Sequence, residues 1–229
     1  MTLFVLLIAG FVMTHIGMAT PPVRDGLVAK VGEKGFQAIY AVISLALLFG
    51  AIQMYKDLEP QILWVAPTGA WHVATLVMLV ASILFVGAIT PANKALAGMP
   101  ATDRPASGMM RITRHPMMWA FGLWAIVHAT LSGSLPTVIL AVSIGALALL
   151  GAAHQDSKKT RLMGETWARY EAETSYWPLG AQISGKQPWR ALWPGLFPVV
   201  GGVALWLLLT FVHPVLMKAP MVPPWGFGQ

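Results

Sequence analysis

The chain has 229 residues, 56% of them hydrophobic and only 10% charged, with a mean hydropathy of +0.65. A soluble domain carries about 25% charged residues, so this composition belongs to a polytopic membrane protein. The net charge of +6 then reads as basic loops against an anionic cytoplasmic leaflet, not as nucleic-acid binding. The absence of cysteine excludes disulfides, iron–sulfur clusters and thiolate ligands or nucleophiles.

In chain order, six apolar stretches approach the roughly 17–25 residues needed to cross a bilayer. They cover about Thr2–Ala19, Phe36–Tyr55, His72–Ile89, Pro116–Leu131, Pro136–Ala153 and Leu196–Met217. The first lacks the basic leader and cleavage site of a signal peptide and is taken as a span. The fourth is the shortest, and charge decides it. Of fifteen Lys and Arg, all but Lys56 and Lys218 fall in the first, third and fifth connections. That bias requires six spans, with both termini away from the cytoplasm. Between Asp156 and Gly195, the stretch from Lys158 to Tyr170 mixes basic and apolar residues as an interfacial helix does. Its continuation is broken by Pro178, Gly180, Gly185 and Pro188, with Trp177 and Trp189 at headgroup depth. The expected fold is one all-α domain, residues 1–229: a six-span bundle with a cytoplasmic interfacial helix and periplasmic termini. Nothing in the sequence sets an oligomeric state.

This topology sorts the six histidines by depth. His15, His115 and His154 lie toward the cytoplasmic ends of their spans, and His72, His128 and His213 lie in the outer halves. His15 is nine residues from Arg24, about 13 Å below that interface, a depth that brings it toward His128. Two neutral imidazoles at similar depth on different helices can hold haem iron axially, which makes His15 and His128 candidate metal ligands. For His72 and His213, near span ends, a hydrogen bond to a neighbouring helix or a place in the headgroup zone is the favoured reading. No HExxH or close histidine pair supports a zinc hydrolase.

A second group gathers at the cytoplasmic face. Arg111, Arg114 and His115 precede Pro116, an early helical residue, and suit a carboxylate or phosphate as well as they suit anchoring a span. Asp156 is placed to orient an imidazole, so Arg114, His115 and Asp156 are the candidate catalytic residues. Arg111 and His154 join them as candidate cofactor-binding residues. Glu171 reads as a solvated partner of charges such as Arg161 or Lys158. Met109, Met110, Met117 and Met118 read as packing.

Several runs are specific enough to carry a resemblance. Thr14-His-Ile-Gly-Met-Ala19, Ile112-Thr-Arg-His-Pro-Met-Met-Trp119, Leu123-Trp-Ala-Ile-Val-His128, Gly-Ala-Ala-His154-Gln-Asp-Ser-Lys-Lys and Gly-Glu-Thr-Trp167 resemble the NnrU family of bacterial membrane proteins. That family is named for an association with nitrite and nitric oxide reduction, and it is similar to the plastid zeta-carotene isomerases, membrane enzymes with haem b. The resemblance implies a multi-pass protein of the bacterial inner membrane that holds haem b through His128 and His15. Such a protein would act on a hydrophobic small molecule or in nitrogen-oxide redox chemistry. At Ala125 the chain departs from the plant isomerase, which has a cysteine there that can exchange as ligand. A second resemblance, through Arg114-His-Pro, Gly164-Glu-x-Trp-x-x-Tyr170 and Trp177-Pro178, is to isoprenylcysteine and phospholipid methyltransferases. It implies S-adenosylmethionine near Arg111, Arg114, His115 and Asp156, although Met118 replaces the usual tyrosine and the later acidic pair is reduced to Asp156. A third class, a non-catalytic assembly or transport factor in the bilayer, would leave the histidines as helix glue.

Overall fold

The computed structural model describes residues 1–90, 93–95 and 104–217; Lys218, one of the two basic residues assigned to the outer side, lies outside them. Among the described residues the fold is helical apart from one isolated bridge between Ile62 and Ser134. The helices are α1 (Thr2–Ala19), α2 (Pro21–Lys56), α3 (Thr68–Ala88), α4 (Pro116–Ser132), α5 (Leu135–Met163), α6 (Glu165–Glu173), α7 (Gly180–Ile183) and α8 (Leu196–Met217). Five of these, α1, α2, α3, α5 and α8, are long and apolar enough to cross a membrane. The fourth expected span is present as α4, but its 17 residues make only about 25 Å, short of a hydrocarbon core of about 30 Å.

Packing follows the chain. The pairs α1–α2, α3–α4, α4–α5 and α3–α8 lie together, and α1 also touches α5. Small residues set the closest approaches. A Cβ on Gly145 would stand 2.6 Å from the Ala125 Cβ across α4–α5, and one on Gly202 would stand 2.6 Å from the Ile83 Cα across α3–α8. Without a hydrophobic drive between helices in lipid, close backbone contact of this kind is a main source of association. Outward-facing Leu45, Phe49, Leu76, Val142, Leu150, Leu208 and Phe211 are exposed, as lipid-facing side chains are.

One expectation is corrected here. The basic run from Lys158 does not begin an interfacial helix: it continues α5 as far as Met163. The break falls at Gly164, whose positive φ of 51° suits glycine. α6 then turns Trp167 and Tyr170 (0% and 1% exposed) against Met109 and Met110 rather than toward lipid. Its apolar stripe is covered by protein. The second expected span, Phe36–Tyr55, lies within the part of α2 that follows a kink. Helical turns from Pro21 meet the rest of α2 at Gly32 (φ 71°), and Arg24 reaches across the bend to both Glu33 oxygens at 2.7 and 2.6 Å.

Both ends of α4 are tied down. At its C-terminus Gly133 (φ 59°) turns the chain into α5. Its carbonyl accepts the Leu63 N–H at 2.7 Å, and a Cβ there would meet the Trp64 carbonyl at 1.9 Å. At its N-terminus the segment after α6 straps the entry. Arg114 N–H donates to Ser175 O, Leu179 N–H to Ile112 O, and both Thr113 Oγ1 and Trp119 Nε1 to Tyr176 O, all at 2.8–2.9 Å.

Candidate functional site

Because α4 starts at the strapped end and α5 returns to it, residues 114–115 and 156 meet although 41 residues separate His115 from Asp156. Arg114 donates from Nε to Asp156 at 3.0 and 2.9 Å and from Nη2 to Asp156 Oδ2 at 2.5 Å, and it also reaches Glu171 Oε1 at 3.1 Å. His115, 1% exposed at its side chain, places Nε2 at 2.6 Å from Asp156 Oδ1. With the ring donating from Nε2 to the carboxylate, Nδ1 is a buried atom with no partner. It borders a small cavity of about 20 Å³ walled by Asn93, Met118 and Gln155, enough for one water. The Tyr176 ring stands 5.5 Å from the His115 ring, and its hydroxyl donates to Leu149 O at 2.8 Å. Burial pushes the phenols of Tyr170 and Tyr176 above their ordinary range; Glu173 adds to the shift at Tyr170, Asp156 adds to both, and Arg114 opposes both.

The predicted polar residues are thus only partly united. Arg114, His115 and Asp156 form one cluster. His154, two residues from Asp156, is exposed and apart from it, and Arg111 donates from Nε to the Ala106 carbonyl at 3.0 Å. Glu171 pairs with Arg114, not with Arg161 or Lys158, because the turn at Gly164 folds α6 back over the α4 entry. Arg114 commits both Nε and Nη2 to carboxylates within the protein. An anionic cofactor at this face would have to displace them.

The apolar layer differs from expectation more sharply. Trp124 packs with the cluster of Phe4 and Ile8. From that level His15 lies seven residues, about 10 Å, toward the strapped end, and His128 lies four residues, about 6 Å, toward the other. α1 and α4 run antiparallel, so the expected pairing of His15 with His128 is not made. The ring neighbours of His15 are Phe11 at 4.3 Å and Tyr40 at 4.9 Å. His128 instead stacks on Trp124 at 4.3 Å and faces His213 of α8 with 6.1 Å between ring centroids. The sequence reading undervalued His213 because its proximity depends on α8 running parallel to α4 beside α3. A cluster of hydroxyls at the same end, Tyr55, Ser132, Ser134 and Thr137, linked at 2.8–3.0 Å, also escaped it.

The donor chemistry of this pair is of a kind that would hold a haem iron, with His128 and His213 as its protein ligands. His128 donates from Nδ1 to the Trp124 carbonyl at 2.8 Å, which leaves Nε2 with the lone pair a metal needs. Nδ1 of His213 is buried without a partner. Among the described residues no three His, Asp or Glu side chains converge as a metal cluster. Two facing imidazoles match a group that brings its other ligands with it. Ala125 packs toward Gly145 of α5.

The family model for the NnrU protein matches residues 3–221. The chain belongs to the NnrU family. This NnrU chain is also 28% identical over 230 residues, 94% of its length and 60% of the relative, to the chloroplastic 15-cis-zeta-carotene isomerase of Zea mays. To the protein of the same name from Arabidopsis thaliana it is 29% identical over 233 residues, 96% of its length and 62% of the relative. It therefore spans about six tenths of the length of the curated relatives it matches. No solved structure matches it.

Proposed function

We propose that this NnrU-family chain is a membrane-embedded, isomerase-like protein that acts on an extended apolar substrate and holds haem b through His128 and His213. The observation that carries the reading is the facing pair of imidazoles on α4 and α8, set among apolar helices. The similarity to 15-cis-zeta-carotene isomerases supports a substrate of carotenoid type and a cis–trans change at a double bond. Bound haem would supply an iron centre able to polarise or exchange an electron with a conjugated chain. The protein's own part is to fix the His128 tautomer through Trp124 and to keep the site within lipid-facing helices.

In this reading α4 is the sixth span, short but held between α3 and α5. The odd-numbered connections face the cytoplasm, and the chain lies in the bacterial inner membrane with both termini outside. The basic residues at the strapped end support that orientation.

The test is a pair of absorbance spectra, oxidised and dithionite-reduced, on protein purified in detergent after haem-supplemented expression. The expected result is a low-spin b-type spectrum in the wild type that is lost or converted to high spin in His128→Ala and His213→Ala and retained in His15→Ala. A colourless wild-type protein overturns the haem reading. A spectrum that survives His213→Ala but not His15→Ala overturns the ligand pair.

A further inference from the structure

We propose that residues 21–31, the helical turns that open α2, form an interfacial helix that docks on anionic phospholipid headgroups at the basic end of the molecule. These turns are a separate rod about 16 Å long, bounded by a break on either side. Before them Thr20 is extended (φ −65°, ψ 139°) and its hydroxyl donates back to Gly17 O at 2.7 Å, which ends α1. Pro21 and Pro22 then start the new helix, where their missing N–H groups cost nothing. After the rod, Gly32 takes φ 71° and ψ 168°. In one straight helix Arg24 would lie about 13 Å from Glu33 and about 18 Å from Phe36 along the axis. Instead Arg24 holds both Glu33 oxygens, and its guanidinium carbon stands 5.5 Å over the Phe36 ring. The rod is turned off the α2 axis and latched to the head of that helix.

Its residues form an amphipathic face. At about 100° per residue, Val23, Leu27 and Val31 fall within about 80° of one another, with Lys30 and Arg24 about 20° beyond either edge. Asp25 and Ala29 lie about 160° away from Leu27, on the other face. Val23 and Val31 are both 45% exposed, while Leu27 between them is partly covered. An apolar stripe edged by cations is the pattern of a helix lying at headgroup depth. Its branched side chains reach the acyl boundary, and its long basic side chains extend to the phosphates.

Charge and depth identify the occupant. Lys30 and Lys34 are exposed, and Lys158 near the end of α5 lies within the fields of Arg24, Asp25 and Glu33, so the basic end of α5 adjoins the rod. Arg24, Lys30, Lys34 and Lys158 outnumber the two carboxylates, and Glu33 is already committed to Arg24. That surface calls for an anionic partner. Ile16 in the last turn of α1 and Ile39 in the second turn after the kink are exposed, as lipid-facing side chains are. Hydrocarbon therefore reaches the level just below the rod. A leaflet with anionic headgroups supplies the apolar boundary and the negative charge together. The inference depends on neither haem nor isomerase activity.

The test uses the full chain, whose lack of cysteine allows single nitroxide labels at Val23→Cys, Val31→Cys and Ala29→Cys. Each is reconstituted into vesicles of phosphatidylcholine alone and of phosphatidylcholine mixed with phosphatidylglycerol. Collision with dissolved oxygen and with a polar nickel complex reports the depth of each label. The expected result in the anionic vesicles is that positions 23 and 31 are open to oxygen and shielded from nickel, with position 29 the reverse. The ratio of shielded to open label should fall about tenfold or more in phosphatidylcholine alone, and by a similar factor when Lys30→Gln and Lys34→Gln are added in the anionic vesicles. Both lysines are exposed, so the added variants leave the bundle folded, which circular dichroism checks. Equal nickel access at all three positions overturns the proposal. So does shielding that is the same in both lipids and in the lysine variant. Dipolar broadening between labels at position 23 that grows with protein density would show that a second copy covers the stripe, and it too overturns the proposal.

Discussion

Asp156 is the residue on which the strapped end depends, since one carboxylate receives Arg114 twice over and His115 once. Its side chain is 14% exposed and that of Arg114 12%, so removing one partner strands the other in a poorly solvated place. Asp156→Ala should therefore destabilise the protein by about 3 kcal/mol, seen as a melting temperature about 10 °C lower in detergent. The apolar pair Arg114→Met with Asp156→Leu should recover most of that loss, because it leaves no uncompensated charge. A double variant as unstable as the single one would show that the cluster's value lies elsewhere than in its charge balance. Tyr170 predicts a pH effect. An unfolded tyrosine loses its proton near pH 10, whereas the buried Tyr170 keeps it to higher pH. Its contribution is therefore whole below about pH 10 and declines as pH rises toward the folded value. Melting temperature should fall above that pH, and less steeply in Tyr170→Phe than in the wild type.

At the scale of helices, the glycines separate two competing effects. Replacing a helical glycine by alanine ordinarily gains about 1 kcal/mol of propensity, and Gly151 in α5, with open space around it, should show that gain. Gly202 should show the reverse. Its new Cβ would meet the Cα and N of Ile83 at 2.6 and 2.8 Å, backbone atoms that cannot rotate away, so α8 must move off α3 at a cost of about 1–3 kcal/mol. Thermal unfolding of Gly151→Ala and Gly202→Ala with opposite signs would confirm that α3–α8 contact depends on the missing side chain. Displacing α8 should also disturb His213 beside His128, which the absorbance spectrum would report if the proposed haem is bound there. Most helix boundaries were readable from hydropathy, because α1, α3, α4 and α8 end where the apolar run ends. The length of α5 was not. Lys158, Lys159 and Arg161 look like the start of a surface segment, but helix propensity carries them on until Gly164 supplies the positive φ that stops it.

For the whole molecule the decisive question is orientation. The chain contains no cysteine, so single cysteines can be introduced on a silent background. Cysteines at Lys34 and Lys158 should react with a membrane-impermeant maleimide only in inverted vesicles, and one at Glu59 only in intact spheroplasts. Equal labelling of positions 59 and 158 from one side would remove α4 as a span and leave five crossings.

Membrane residence, the helical class, the NnrU family and the meeting of basic residues at one end were legible without coordinates. Each is a sum over many residues or a contiguous motif, and neither needs long-range geometry. The Arg114-His115-Asp156 cluster was half legible: its members could be named from charge and depth, but that Asp156 serves His115, and that Glu171 joins them, required α5 and α6 to fold back over the α4 entry. The histidine pair was not legible at all. Depth along a helix can be counted in steps of about 1.5 Å, which is why His15 and His128 seemed partners. Which helices are neighbours, and which way each runs, is set by packing between Gly202 and Ile83 and between Gly145 and Ala125. That packing brings α8 alongside α3, and with it His213 to His128 of α4, while α1 carries His15 toward the opposite end.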